Sequence, residues 1–515
     1  MSEEEKMQQQ ENIKDVDVIV AYTDIPYSVI ADDMSEGSKN DYYNEVHSII
    51  EYYVAYKKGK KFNTEGSNGN YVPSDLRYKK ASSIINKEAR FLFANPPTFN
   101  VNIDDTSDGV KEANTIIQDF LDKVLEKNKF NDKLLKAAKD CFIGKRVALM
   151  LNFNDDGIAI TFLNSLEFVY ETTGSSTNEL KKIVSFYNKV DTYHKQEQRW
   201  FKKVYELEDG AVYVEEKIYD GLGVEIEEVT PRKKTKFTYI PAVVILNDGL
   251  TGEVKGESEL GYLLQYEGVY SKLANADIDA GRKSMNPTRY TIDASVNSTA
   301  NLSTSPGSYW DLQSDDEKSE TRQAQVGLLE PAMNYSSALK VTLDRLENTM
   351  YSEVDVPNIN SEQLQGVITS GKTLKALYWG LSVRCDEKML SWGAALHFMA
   401  EAIIEGGHLY PNSISKYTTE TVLPRIECDI LVENNYPLPE DEEEEKNMDL
   451  AEINAQVMSR KAYLKKWRKL SDKEADEELE QIKYEQDLLE NSELMPEEET
   501  EGVLTGDEES MLEGM

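Results

Sequence analysis

A chain of 515 residues, 40% of them hydrophobic, can bury a large core and is too long for one compact domain of ordinary size, so two to four structural regions are expected. With 94 acidic against 57 basic residues the net charge is −37, which argues against a protein that grips nucleic acid by neutralising phosphates but leaves room for one past which nucleic acid slides. No run of eighteen apolar residues suggests a membrane span, and the start MSEEEKMQQQEN is unlike a signal peptide, so cytoplasm, or a particle assembled there, is the expected place.

In chain order, residues 1–39 read as a polar N-terminal arm, ill-ordered at its start. From Asp41 the pattern is helical, with Tyr43, Val46, Ile50 and Tyr53 on one face, and 57–73 is a loop by composition. A second helix is predicted from Ser74, taken as its N-cap, to the residues before Asn95-Pro96-Pro97, followed by helices over 108–128 and 130–142. Residues 145–246 change character. Short runs rich in β-branched and aromatic residues (VALMLNF, IAITFL, KIVSFY, WFKKVYEL, AVYVEEKI, FTYIPAVVIL) alternate with Gly-containing turns, the signature of antiparallel strands. The fold class is therefore α+β, helices first and sheet second.

A long helix is predicted over 257–283, with Leu263, Tyr266, Tyr270, Leu273, Ala276 and Ala280 keeping one face. Residues 284–335 form a polar insert with strand candidates TRYTID, SYWDL and AQVGLL, and a partner helix follows at 336–352 with Leu339, Leu343, Leu346 and Met350. Two rods with a small head result. Residues 354–370 are a polar loop. The longest helix, 373–405, carries Leu374, Tyr378, Leu381, Cys385, Met389, Trp392, Leu396, Met399 and Ile403, with Gly406-Gly407 as its stop and a strand near 425–432 beyond. Residues 440–515 hold 26 acidic and 9 basic side chains, with helices expected at 446–458, 460–468 and 472–490 and a disordered tail over 491–515.

Chemistry-bearing motifs are few. Gly366 to Thr373 (GVITSGKT) matches the phosphate-loop pattern, but the preceding Asn358 to Gln365 is polar and no strand, and no βα alternation surrounds it, so a loop-to-helix junction is the better reading. Cys141, Cys385 and Cys428 are far apart with no CxxC spacing, and His47, His194, His397 and His408 are scattered, His397 on a helix surface and His408 in a loop after the helix. No metal site, cofactor or catalytic set is expected. The acidic run Glu440 to Glu445 reads as a solvated linker, and the basic run Lys461 to Leu470 as a short amphipathic helix balanced by acidic neighbours.

The order of these parts resembles the bacteriophage portal protein family, or head–tail connectors, most closely the portals of phages with long non-contractile tails. Ile84-Ile-Asn-Lys-Glu-Ala-Arg-Phe-Leu-Phe-Ala-Asn-Pro-Pro97 resembles the family's helix running into a "YLFGKP"-like end, with Ala94 where glycine is usual. Ser370-Gly371, with Leu374-Lys375 following, resembles the "SG-x-AL" start of its long helix. Tyr436 to Asp441, Met458 to Lys461 and Ser471 to Asp476 running on to Glu485 resemble its closing pattern, so that the likeness covers about 40–490.

The resemblance implies a non-enzymatic ring, usually of twelve subunits, that passes double-stranded DNA at one capsid vertex during packaging and ejection. It implies a wing over 40–255, stem helices at 257–283 and 336–352, a clip over 284–335, a tunnel loop over 354–370, a long wing helix and strand over 371–435, and a crown over 440–490. Implied partners are the terminase large subunit, a head–tail adaptor protein, and the major capsid and scaffolding proteins. On this reading Asp355, Asn358, Asn360, Glu362, Gln363 and Gln365 meet DNA without holding it, and Tyr309 and Trp310 anchor docking at the clip. Leu263, Tyr266, Tyr270, Leu273, Leu339, Leu343 and Leu346 pack the stem. A packaging ATPase using Gly366 to Thr373, or another phage structural component, are the competing expectations.

Overall fold

The computed structural model describes residues 21–31, 34–62, 72–102, 107–155, 157–174, 179–190, 198–250, 253–285, 288–295, 310–314, 323–329, 333–359, 371–426, 428–437, 442–468, 470 and 472–493. The chain divides into two units, 1–366 with 376–437 and 367–375 with 438–515.

In the first unit the polar arm joins the core sooner than its composition suggests. Tyr22, Ile25, Val29 and Ile30 are buried around a 3-10 turn (Ala21–Asp24) and helix α1 (Tyr27–Ala31), and the Tyr22 ring meets Trp200 edge-on at 5.4 Å. Helix α2 (Glu36–Lys58) starts at Ser35, whose side chain accepts from Ser38 N, and buries Tyr42, Val46, Ile49, Ile50 and Tyr53. Helix α3 (Lys80–Phe93) begins six residues after Ser74 and buries Ile84, Ile85 and Leu92. Ser74 does not cap it, because its hydroxyl donates to Asp279 Oδ1 at 2.7 Å instead. Strand β1 (Thr98–Asn102) and helices α4 (Asp108–Lys127) and α5 (Phe130–Gly144) follow.

Strands β2 (Arg146–Asn154) and β3 (Gly157–Asn164) form a hairpin. Strands β4 (Phe168–Thr172), β5 (Leu180–Val190), β6 (Gln198–Glu208), β7 (Ala211–Asp220) and β8 (Glu225–Lys234) form an antiparallel meander in sequential order, and β9 (Ala242–Leu246) returns to pair with β2. Ala148, Met150 and Ala242 from the smaller sheet share a core with Phe168, Ile183, Tyr205 and Val212 from the meander. Side chains alternate across a strand, so Val147, Leu149 and Leu151 face the other way, and they too are fully buried. Strand β2 is therefore covered on both faces, which explains its unbroken apolar run.

Helix α6 (Glu259–Met285) leads to the ribbon β10 (Thr288–Ile292) and β11 (Gln325–Leu329), and the chain returns as α7 (Ser336–Ser352). The described part of the expected SYWDL strand, 310–312, forms no strand, and only one isolated bridge, Ala294 with Ser314, lies just beyond it. Helix α8 (Gly371–Leu377) precedes α9 (Trp379–Leu409), whose 31 residues span about 47 Å. Gly406 and Gly407 do not stop α9, which runs on to Leu409 and places His408 in the helix; a Cβ on Gly406 would overlap the Phe153 ring. Strand β12 (Asp429–Glu433) pairs antiparallel with β1, from Thr98 opposite Glu433 to Asn102 opposite Asp429.

The second unit holds α10 (Glu442–Asn454), α11 (Arg460–Arg468) and α12 (Asp472–Glu493). The basic α11 is balanced by its acidic neighbours: Lys466 pairs with Asp449 at 2.9 Å, Lys461 with Asp476 at 2.8 Å and Arg468 with Glu478 at 2.6 Å. The tail beyond Glu493 lies outside the described residues.

Candidate functional site

Helices α6 and α7 pack side by side and are tied to α3. Lys80 Nζ reaches Glu347 at 2.7 Å, Lys87 donates to the Tyr351 hydroxyl at 2.9 Å, and the Tyr266 hydroxyl donates to Glu353 at 3.2 Å. The expected apolar face is only partly the one used. Leu263 is fully buried inside the chain and offers nothing to a neighbour, and Ala276 is exposed. Tyr266, Tyr270, Leu273, Leu339, Leu343 and Leu346 are half-buried, and Tyr270 lies edge-on to Tyr78 at 5.3 Å. Beyond Leu264 the buried side of α6 is mainly polar: Glu267, Ser271 and Asn275, beside Ala274.

The ribbon β10–β11 carries exposed apolar side chains on both faces, among them Tyr290, Ile292, Val326, Leu328 and Leu329. A lone two-stranded ribbon is marginal in water. Trp310 is half-buried, with the Arg289 guanidinium 4.9 Å from its ring, and is not part of the core; Tyr309 lies outside the described residues.

Of the polar loop, 354–359 is described. Val354 and Val356 are buried, Asp355 has a φ of 50°, and Asn358 donates to Asn348 Oδ1 at 2.8 Å. Asn360, Glu362, Gln363 and Gln365 lie outside the described residues, as do the first five residues of the Gly366–Thr373 motif. The described residues 354–359 hold no strand, and every named strand pairing among the described residues is antiparallel, so the parallel βα setting of a phosphate loop has no counterpart there.

A buried ion cluster joins α3, α6 and α9. Lys388 Nζ lies 2.5 Å from Glu259 Oε1 and 2.7 Å from Asn247 Oδ1, and Arg384 bonds Glu88 Oε1 at 2.9 Å and Glu259 Oε1 at 3.2 Å. Asp248 stands at the rim, 3.5 Å from Arg384. Glu88 and Glu259 have no exposed surface. Burial and the neighbouring Glu259 push the Glu88 carboxyl well above its ordinary range. Burial also works against a charged Glu259, but Lys388, the hydrogen bond from Glu88, and Arg384 outweigh it and hold Glu259 down to about 2. The second oxygens of both carboxyls are buried without a hydrogen-bond partner, and a hydrogen bond between the two carboxyls requires a proton on one of them, which the upward shift of Glu88 favours there. This cluster escaped the sequence reading. Its one signal is that Lys388 falls on the apolar stripe of α9, between Cys385 and Trp392.

Cys141 and Cys385 are buried thiols, and His397 lies 3.5 Å from Glu401 on the surface of α9. Among the described residues no group of acidic, His and Cys side chains could hold a metal, and no helix is long and apolar enough to cross a membrane.

An α+β body bearing a helix pair that ends in a small exposed ribbon defines a structural subunit built to meet other chains. A family model described as phage portal protein, SPP1 Gp6-like, matches residues 38–489, and the chain belongs to that family. No curated protein matches it individually. Portal proteins are structural channel proteins of tailed phages, typically homododecamers, and this chain serves as the portal for DNA packaging. Membership implies an oligomeric ring at the portal vertex of the virion, in contact with capsid, terminase and tail components.

Proposed function

We propose that residues 40–255 form the wing of the portal ring, α6 and α7 the stem, 284–335 the clip, 354–370 the tunnel loop, 371–435 the long wing helix and strand, and 440–490 the crown. Twelve copies surround the channel. The ring assembles in host cytoplasm with the major capsid and scaffolding proteins, docks the terminase large subunit at the clip during filling, and then exchanges it for a head–tail adaptor. The observation that carries this reading is the exposed apolar ribbon β10–β11 at the end of the α6–α7 pair. A ribbon that cannot bury its own faces is suited to burial between copies and against a docked partner. Trp310 and Tyr309 would anchor that docking. The polar loop between α7 and α8 would line the narrowest part of the channel, with Asp355, Asn358, Asn360, Glu362, Gln363 and Gln365 touching phosphates without holding them.

Negative-stain imaging of the purified full chain should give closed rings with a central hole; monomers or dimers at every salt concentration would sink the ring reading for the isolated protein. Gln363→Arg adds a phosphate-binding charge. It should leave rings intact and shorten the length of DNA packaged, and full-length packaging by that variant would remove the loop from the channel wall.

A further inference from the structure

Glu267, Ser271, Asn275 and Asp279 follow one another at four-residue steps on α6. Four helical residues rise about 6 Å and two extended residues about 6.6 Å, so such a row can bond every second residue of a chain laid alongside. Residues 72–79 are that chain, running antiparallel to the helix. Ser74 N and Oγ donate to Asp279 at 3.1 and 2.7 Å. Asn275 accepts from Leu76 N at 2.9 Å and donates to Leu76 O at 2.7 Å. Ser271 Oγ accepts from Tyr78 N at 3.4 Å. Glu267 accepts from Ala81 N at 2.7 Å in the first turn of α3, and from Lys60 N at 3.1 Å just beyond α2. Toward the strap the four rungs bond to backbone apart from the Ser74 hydroxyl, Asp279 also pairing with Arg282 at 3.6 Å, and Val72 and Leu76 of the strap are 74% and 57% exposed.

Besides the edge-on contact of Tyr78 with Tyr270, what the strap covers is therefore mostly polar. Lifting it exposes a carboxylate, a hydroxyl, an amide and backbone groups that water can satisfy, whereas parting an apolar contact costs free energy in proportion to its area. Segments held this way open while the surrounding core stays folded. We propose that residues 72–79 are a releasable latch between α3 and α6. Closed, it holds the length of α6 against the start of α3. Open, it leaves α6 tied to α3 by the Glu259–Lys388 cluster, by Glu267 and, through α7, by Lys80–Glu347 and Lys87–Tyr351, so what is freed of the strap is the stretch of α6 beyond Ser271 that leads to the β10–β11 ribbon. The proposal concerns α3 and α6 whatever region of a ring they occupy.

Hydrogen–deuterium exchange on the full-length protein tests it. Amides of Leu76 and Tyr78 should exchange at least about tenfold faster than those of Ile84 to Phe93, and Asn275→Ala should speed them by roughly another tenfold while α3 and α6 stay unchanged. Ser271→Ala should act in the same direction, and Leu76→Ala should do nothing. Equal protection of the strap and the α3 interior in the unaltered protein would overturn the latch. So would an Asn275→Ala protein whose strap is unaffected, or one whose α3 and α6 loosen as much as the strap.

Discussion

At the scale of single residues, the Glu88–Glu259–Arg384–Lys388 cluster balances two cations against two carboxyls that lean in opposite directions. If Glu88 carries the shared proton, Glu88→Gln supplies a donor in its place, and its oxygen still accepts from Arg384. That variant should lie within about 1 kcal/mol of the unaltered protein in urea unfolding at neutral pH. Glu259→Gln removes the carboxylate that both cations bond at close range, leaving the part-exposed Asp248 at the rim as their charged neighbour, and should cost roughly 3–5 kcal/mol. Equal losses from the two substitutions would remove the asymmetry. Asp140, which accepts from the Tyr53 hydroxyl at 3.2 Å, is pushed up to about 7 by burial and by Glu167. The folded state therefore binds a proton between about pH 4 and 7 that the unfolded chain has released. Stability at this site is full below about pH 4 and falls as pH rises through 7. Asp140→Asn removes that loss, and it should be more stable than the unaltered protein at pH 8 by something of order 2 kcal/mol, with the gap narrowing towards pH 4.

At the scale of elements, legibility followed how local the signal was. Strands β2, β3, β5, β6 and β7 were readable because their pattern lies within each run, β4 was not singled out, and the proline stop of α3 was readable from Asn95-Pro96-Pro97 alone. The start of α3 was not. Ser74 has the chemistry of an N-cap, but Asp279, about two hundred residues away, supplies a stronger partner for its hydroxyl and amide. Strand β1 has no local signature of pairing, because its partner β12 lies more than three hundred residues later. Gly406-Gly407 was read as a stop by the rule for helix ends, whereas tertiary packing uses the missing side chains to let α9 approach β2 and Leu423. Gly406→Ala should therefore lower stability by about 1–3 kcal/mol in denaturant unfolding, since the added methyl meets the Phe153 ring. Gly393→Ala, also inside α9 but with its nearest neighbour atom 3.8 Å away, should be neutral or stabilise by up to about 1 kcal/mol. A tolerated Gly406→Ala would mean that β2 and α9 can part without cost.

At the scale of the whole molecule, the order of helices, sheet, helix pair, loop and long helix was legible from the sequence, while the polar side of α6 was not. A buried polar row at four-residue spacing looks like a solvated face until the chain that covers it is known. The charge has a consequence for assembly. A net of −37 on each copy gives about −440 for the proposed ring of twelve (12 × −37). The basic α11 already spends several of its charges on Asp449, Asp476 and Glu478, which limits what it can offer across copies. Copies therefore repel one another, and what holds them must be apolar burial such as the β10–β11 ribbon offers. Repulsion between exposed charges reaches about 30 Å at 0.01 M salt and about 10 Å at 0.1 M, whereas apolar burial is not weakened by screening. The ring fraction of purified protein should therefore rise with sodium chloride between about 10 and 300 mM, as followed by sedimentation velocity at fixed protein concentration. Replacing Leu328 and Leu329 with serine should lower the ring fraction at every salt concentration without changing the direction of the salt effect. Rings that dissociate as salt is raised would show that ion pairs between copies, and not apolar contacts, close the ring.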